Sequence, residues 1–268
     1  GTPYEKLRFL AAGVNHMAFL LKLEADGQDL YPKLRACLDR PEIYKKEKVR
    51  FEILRHFGYF PTESSGHNSE YLPYFRKRQD LIDRFCRNDF PEVDENGIDW
   101  NSMSAGVSGA SVQICRGLQI RNEKQIAGYL DGSREIDLAS SVEYGVQIIA
   151  AIEKNRPLAA NLNVMNRGLI ATLPPECCVE VPCLVDGGGI VPGRIEDFPE
   201  QLAAIDRGMV GAQILGAQGA LDGDRRAIFH AIAADPNTQS KLGLDEIRSM
   251  TDELFDALAD VIDPRFSR

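Results

Sequence analysis

Apolar positions run through "RFLAAGVNHMAFLLKLEAD" (8–26) with short polar breaks, and the pattern reads as two extended segments, "RFLAAGVNH" and "AFLLKLEAD". The second closes on the turn pair Asp26-Gly27. A helix is predicted through "LYPKLRACLD". Another opens at Pro41, where a missing N–H costs nothing, and runs to about Phe57 with Ile43, Val49, Ile53 and Phe57 near one face. "GYFPTESSGHNSEYLPYF" mixes aromatic and polar residues before helix resumes in "RKRQDLIDRFCR". From 88 to 135 the chain turns rich in Gly, Ser, Asn and Asp around its sole tryptophan, Trp100, and a long loop, a mobile insertion, is expected there.

Helical spacing returns in "DLASSVEYGVQIIAAIEKN" at Val142, Val146, Ile149 and Ile152. Short strands follow in "LAANLNVMNRGLIATLP" and "CCVEVPCLVDGGGIVPGRI", with turns at Asn166–Gly168 and Asp186–Gly189. The remainder is predicted helical at 198–221, 224–234 and 244–262, the last with a stripe of Leu244, Ile247, Thr251, Leu254 and Leu258. Asp245 and Glu246 stand favourably near the positive end of that helix. Strands at the start and in the middle, without regular strand–helix alternation, give an α+β fold in one domain spanning 1–268.

Composition narrows the function. In 268 residues, 44% are apolar and 26% charged, which gives a globular chain with room for a substantial core. The net charge of −9 argues against nucleic acid, because phosphate binding needs clustered cations. The densest basic run, "YKKEKVR", is broken by Glu47 and reads as a solvated helix face. No segment has the length of a membrane span, and six scattered cysteines are not a disulfide framework, so a reduced, cytoplasmic protein without a membrane partner is expected.

Few motifs carry chemistry. "DGGGI" lacks the following helix that gives a phosphate loop its meaning, and reads as a hairpin turn. "CCVEVPC" lacks paired zinc spacing, and Cys177 and Cys178 point to opposite faces of a strand. His16, one of four histidines, is either a hydrogen-bonded structural residue or a ligand whose partners lie far off in sequence. Tyr59, Glu63, His67 and Glu70 fall close together, either as core aromatics beside a solvated loop or as a site in which a tyrosine near a cation serves as base.

Taken in order, "AAGVNHMAFLLKLE", "HFGYFPTESSGHNSEYLPYF", "SVEYGVQIIAAIE", "NVMNRGLIATLPPECCVEVPCLVDGGGIVPGRI" and "LDEIRSMTDELFDAL" resemble glycoside hydrolase family 4, in its α-galactosidase-like branch. These enzymes depend on NAD and manganese and stand apart from the two-carboxylate glycosidases. The resemblance implies a C-terminal substrate and metal domain, similar to the second domain of lactate and malate dehydrogenases, with the nucleotide-binding half and most of the NAD site absent. It implies His16 as a manganese ligand with a cysteine of the absent half as the other, Asn15 and His67 as sugar contacts, and Tyr59 as the base. This chain has "NVMN" at 163–166 where the family commonly has "NVPN".

The implied reaction is oxidation at C3 of an α-galactoside, deprotonation at C2, elimination, water addition and re-reduction. A small sugar substrate and a homo-oligomer, dimer or tetramer, come with the resemblance. An α-galacturonidase or α-glucosidase of the same family is the alternative. Ranked lower are the C-terminal domain of a hydroxyacid dehydrogenase, whose histidine stands in a Gly-Glu-His-Gly context rather than Val-Asn-His-Met, and a non-catalytic binding or oligomerisation module.

Overall fold

The two apolar runs at the head of the chain become strands β1 (Leu7–Val14) and β2 (Met17–Ala25), paired antiparallel with Val14 opposite Met17. In the computed structural model, which describes residues 2–136 and 143–267, Asn15 and His16 are therefore the whole of a two-residue turn. The expected strand ends one residue before them. A Cβ on Gly13 would meet the Met17 carbonyl oxygen at 2.6 Å and the Ala18 Cα at 2.7 Å, so only glycine lets the hairpin close this tightly.

The remaining elements follow in order. They are β3 (Gln28–Asp29), α1 (Tyr31–Ala36), α2 (Pro41–Tyr44), α3 (Lys48–Phe57), β4 (Phe60–Pro61), α4 (Ser65–Tyr71), α5 (Gln79–Phe85), α6 (Trp100–Ser104) and α7 (Ala110–Leu130). After these come α8 (Gly145–Lys154), β5 (Leu158–Met165), β6 (Cys178–Asp186), β7 (Gly189–Pro192), α9 (Glu200–Asp222), α10 (Arg225–Ala234), α11 (Pro236–Gln239) and α12 (Leu244–Ala257). The strands form one sheet in the order β3-β2-β1-β6-β5, with β4 on β2 and β7 on β6, and every named pair is antiparallel. Met17, Phe19, Val179 and Val181 are wholly buried with Leu202 and Ala203 of α9 in the main core. Tyr31, Phe51, Leu54 and Phe60 make a smaller second cluster.

Three expectations change. The helix from Pro41 to Phe57 is two helices, because Ile43 packs into the small cluster while Val49 and Ile53 enter the main core. The stretch 88–135 is not one long loop: its second half is α7, of 21 residues. That helix hides little apolar surface, with only Ala110, Ile114, Gly117 and Gly128 buried, so it has no apolar stripe to read. In α8 the side facing the core carries Ile148 and Ala151, whereas Val146 and Ile149 of the predicted stripe are exposed. The expected start of that helix, with Val142, lies outside the described residues. The "DGGGI" hairpin turn stands as read, and Cys177 is buried while Cys178 is exposed.

Asn166 of "NVMN" pins the connection from β5 to β6. Fully buried, its Nδ2 donates to the carbonyls of Ile170, Leu173 and Pro174, and its Oδ1 accepts from the Ile170 N–H at 2.7 Å. Replacing it with Ala leaves these buried groups unpaired, and Asn166→Ala is expected to cost roughly 3–5 kcal/mol of folding stability by urea denaturation. A loss below about 1 kcal/mol would mean that water takes over the amide's role.

Candidate metal centre

The hairpin turn brings the sequence's scattered donors together. His16 Nδ1 lies 3.2 Å from one carboxylate oxygen of Glu63, and His67 Nδ1 lies 3.3 Å from the other. One ligand atom from each of the three residues falls within 4.8 Å of the rest. Both imidazole nitrogens are buried without a hydrogen-bond partner of good geometry, although the side chains themselves are partly open to solvent. Burial pushes the Glu63 carboxyl upward, but the Ser64 N–H and the His67 and His16 rings outweigh it and hold the group below the usual carboxylate range.

The local backbone is braced for this arrangement. His16 holds φ +66°, the left-handed region that costs a non-glycine residue about 1–2 kcal/mol and that persists where surroundings demand it. Thr62 donates its N–H (2.9 Å) and its hydroxyl (3.2 Å) to the Ala18 carbonyl, tying the Glu63 segment to β2. Ser64 caps α4 by accepting from the His67 N–H. Wholly buried Asn68 donates to the carbonyls of Glu63 and Ser64.

Of the residues singled out from sequence, His16 and His67 meet, with ring centroids 4.8 Å apart. Asn15 shares the turn but is exposed, its amide 3.4 Å from Glu180. Tyr59 does not join them. It precedes Phe60, which pairs with Leu20, so strand rise puts it about 13 Å from the turn, and its ring packs edge-on against Tyr31. The tyrosine beside His16 is Tyr71, with ring centroids 5.8 Å apart, and burial raises its phenol pKa, helped by Glu70, Glu63 and Asp235. His67 and Tyr71 are four residues apart within α4, the helical spacing that could have revealed Tyr71 as a neighbour of His67. A cavity of about 180 Å³ opens beside the cluster, lined by His67, Glu70, Arg76, Met103, Val107 and Ser111 among others. A larger one, about 810 Å³ between Tyr44, Lys48 and Arg84, touches none of the three donors.

Behind the hairpin lies Asp206 of α9, wholly buried, with neither carboxylate oxygen satisfied by a hydrogen bond of good geometry. Burial pushes its pKa well above the ordinary carboxylate range, while the Val14 backbone and Arg207 pull the other way. A carboxyl whose folded pKa is raised stabilises the fold fully below its unfolded pKa, about 3.9, and this stability is lost as pH rises toward the folded pKa. As pH rises above about 4, Asp206→Asn is therefore expected to gain on the parent, by at most about 1.4 kcal/mol per pH unit. Parallel stability curves for the two proteins would contradict this.

Sheet, helices and donor cluster together describe an α+β domain with a polar, ion-competent site. The family 4 glycosyl hydrolase C-terminal domain matches residues 11–238, and the chain belongs to that family. The chain is 35% identical to the alpha-galactosidase of Bacillus subtilis, covering 97% of this chain and 56% of that protein. It is 30% identical to the alpha-galactosidase of Rhizobium meliloti over 95% and 50% of the two chains. An alpha-galacturonidase of Lachnoclostridium phytofermentans is 22% identical, over 91% of this chain and 52% of its own.

Among solved structures, the 6-phospho-beta glucosidase of Thermotoga maritima, with manganese, NAD+ and glucose-6-phosphate, shares the fold at TM-score 0.66 and 14% identity, covering 98% of this chain and 56% of that one. The chain thus spans about half the length of the relatives it matches. No helix among the described residues is long and apolar enough to cross a membrane.

Proposed function

We propose that this chain is the substrate- and metal-binding part of an α-galactoside-cleaving glycosidase that uses NAD and a divalent ion, manganese by preference. The observation that carries the reading is the 35% identity with an alpha-galactosidase across nearly the whole chain. The ion suits the donors present: two imidazole nitrogens and a carboxylate are ligands for a first-row divalent metal, and the nitrogens are buried without other partners. The dinucleotide is a different matter. The glycine run at 187–189 is a hairpin turn, so no NAD contact is assigned to these residues. The share of the relatives' length outside this chain is where we place it.

When bound, the pair of cofactors supplies reversible hydride removal and polarisation of a sugar oxygen. The chain's own part is to hold and deprotonate. His16 supplies an imidazole to the ion from the strained turn, and Asn15 offers an amide next to it for a sugar hydroxyl. His67 lines both the cluster and the small cavity, which is of a size to take part of one sugar ring. For the proton at sugar C2, proximity to His16 favours Tyr71 over Tyr59 as the base.

The α-galacturonidase reading has one feature in its favour, Arg76 in the cavity wall, where a sugar carboxylate could be met. Its guanidinium already donates to the Ser69 hydroxyl and the Gly106 carbonyl, which leaves it poorly placed as a free cation. The test is turnover in D2O by the full-length enzyme with NAD and Mn2+. An α-galactoside is expected to be cleaved faster than an α-galacturonide and to release sugar carrying deuterium at C2. Faster galacturonide cleavage would favour the second reading, and product without deuterium would exclude a base acting at C2.

A further inference from the structure

We propose that α3 and α5 enclose a second ligand site, which takes an anion carrying an aromatic ring: an aryl phosphate or a nucleoside monophosphate. The ring enters an aromatic cavity, and the anion meets the cations of a larger cavity beside it. The proposal rests neither on the glycosidase reading nor on the ion.

Two cavities meet here. The smaller, about 340 Å³, is walled by Phe57, Tyr74, Phe75 and Phe85. Its rings already stand at stacking distances, with centroids 6.1 Å apart for Phe57–Tyr74 and 5.2 Å for Phe75–Phe85. The larger is the cavity of about 810 Å³, and Glu52 and His56 line both, so the two share a wall. Arg84 marks the junction. It lines the larger cavity, while its guanidinium stands 4.6 Å from the ring centroid of Phe85 in the smaller one.

The larger cavity carries cations that the protein itself does not use. Lys48 is taken by Asp89 at 3.0 Å and the Arg87 carbonyl at 2.9 Å, and Arg55 by Glu52 at 3.2 Å. Lys45, Arg84 and Arg87 have no carboxylate partner and no side-chain hydrogen bond among the described residues, although the chain holds 40 acidic residues against 31 basic ones. They outnumber the remaining acids of the wall, Asp39 and Asp83. Tyr44 shows that the groups converge from separate helices: burial and Glu52 push its phenol up to about 12, while Arg84 of α5 and Arg55 of α3 pull the other way.

Two guanidinium groups and an ammonium are donors suited to phosphate or carboxylate oxygens. A plain sugar would bury hydroxyls against four aromatic rings with only Glu52 and His56 to meet them. A purely apolar molecule would leave the three cations as they are. A ring joined to an anion fills both cavities at once. The competing account is three solvated surface cations beside a hollow in the packing.

Full-length enzyme saturated with NAD, so that dinucleotide-binding surface is already filled, is titrated calorimetrically with 1-naphthyl phosphate. Inorganic phosphate, 1-naphthol and AMP are titrated in parallel. Naphthyl phosphate or AMP is expected to bind at least tenfold more tightly than inorganic phosphate or naphthol, and the tighter of the first two identifies the source of the ring. Arg87→Gln should weaken that binding at least tenfold and Tyr74→Ala at least fivefold, with circular dichroism confirming the fold; both side chains are exposed.

Equal affinity for inorganic phosphate, equal affinity for naphthol, no binding at millimolar concentration, or parent affinity in either variant would overturn the proposal. Should a variant fail to fold, Lys45→Gln replaces Arg87→Gln and Tyr74→Leu replaces Tyr74→Ala. None of these readouts involves sugar cleavage, so failure here leaves the proposed function standing.

Discussion

His16→Gly is expected to keep or raise the melting temperature while weakening Mn2+ binding at least a hundredfold and removing activity in the full-length enzyme. The two effects have separate origins. At φ +66° a histidine bears backbone strain that glycine does not, so the exchange is worth up to about 1 kcal/mol to the fold, less whatever the ring contributes by packing on His67 and Tyr71. The ion, however, loses an imidazole ligand that Asn15, on the other half of the turn, is not placed to replace. A histidine kept for structure behaves in the opposite way: the fold loses 2 kcal/mol or more and metal affinity stays where it was. Calorimetric melting and Mn2+ titration on the same sample distinguish the two outcomes.

The second large effect concerns the tyrosines. Tyr71→Phe in the full-length enzyme is expected to lower kcat by roughly 10²–10⁴, the usual loss for a positioned general base, with melting temperature little changed. Tyr59→Phe should change kcat less than tenfold, because its ring packs against Tyr31 at the far end of the β4 pairing. Buried beside two glutamates, the Tyr71 phenol is reluctant to ionise, and an adjacent cation is the kind of neighbour that reverses such a shift. The full-length parent is therefore expected to gain rate as pH rises, and the Tyr71→Phe enzyme to lack that gain. Equal losses in the two variants would undo the assignment.

How much of this was legible in the chain depends on the range of each signal. Apolar runs bounded by turn residues matched β1, β2 and β5–β7, and the helices expected at 198–221 and 224–234 met α9 and α10 to within two residues. The Asn15–His16 turn was hidden because it has neither glycine nor aspartate to announce it. Only the pairing of Val14 with Met17, a property of the folded hairpin, shows the chain reversing there. α7 was missed since Ile114 is buried while Ile120 and Ile126 face out, so its apolar residues mark no single side. At the site, His16 was visible as an oddity and Glu63 with His67 as a neighbourhood. What joins them is the β2–β4 pairing, a long-range contact that no local pattern encodes. Tyr59 came from the resemblance alone, and the nearness of Tyr71 to His16 is visible only in the fold.

The bonds from Thr62 to the Ala18 carbonyl also bear on how an ion would leave. Because they bridge the hairpin and the lead-in to α4, neither element can fray on its own without breaking the tie, and the donors share one local unfolding event. Hydrogen exchange at the Thr62 amide and escape of the ion then become two views of a single opening equilibrium. Saturating Mn2+ should slow exchange at Thr62 and at the His67 amide by the same factor, while leaving amides of α12, which packs against α10, at their former rates.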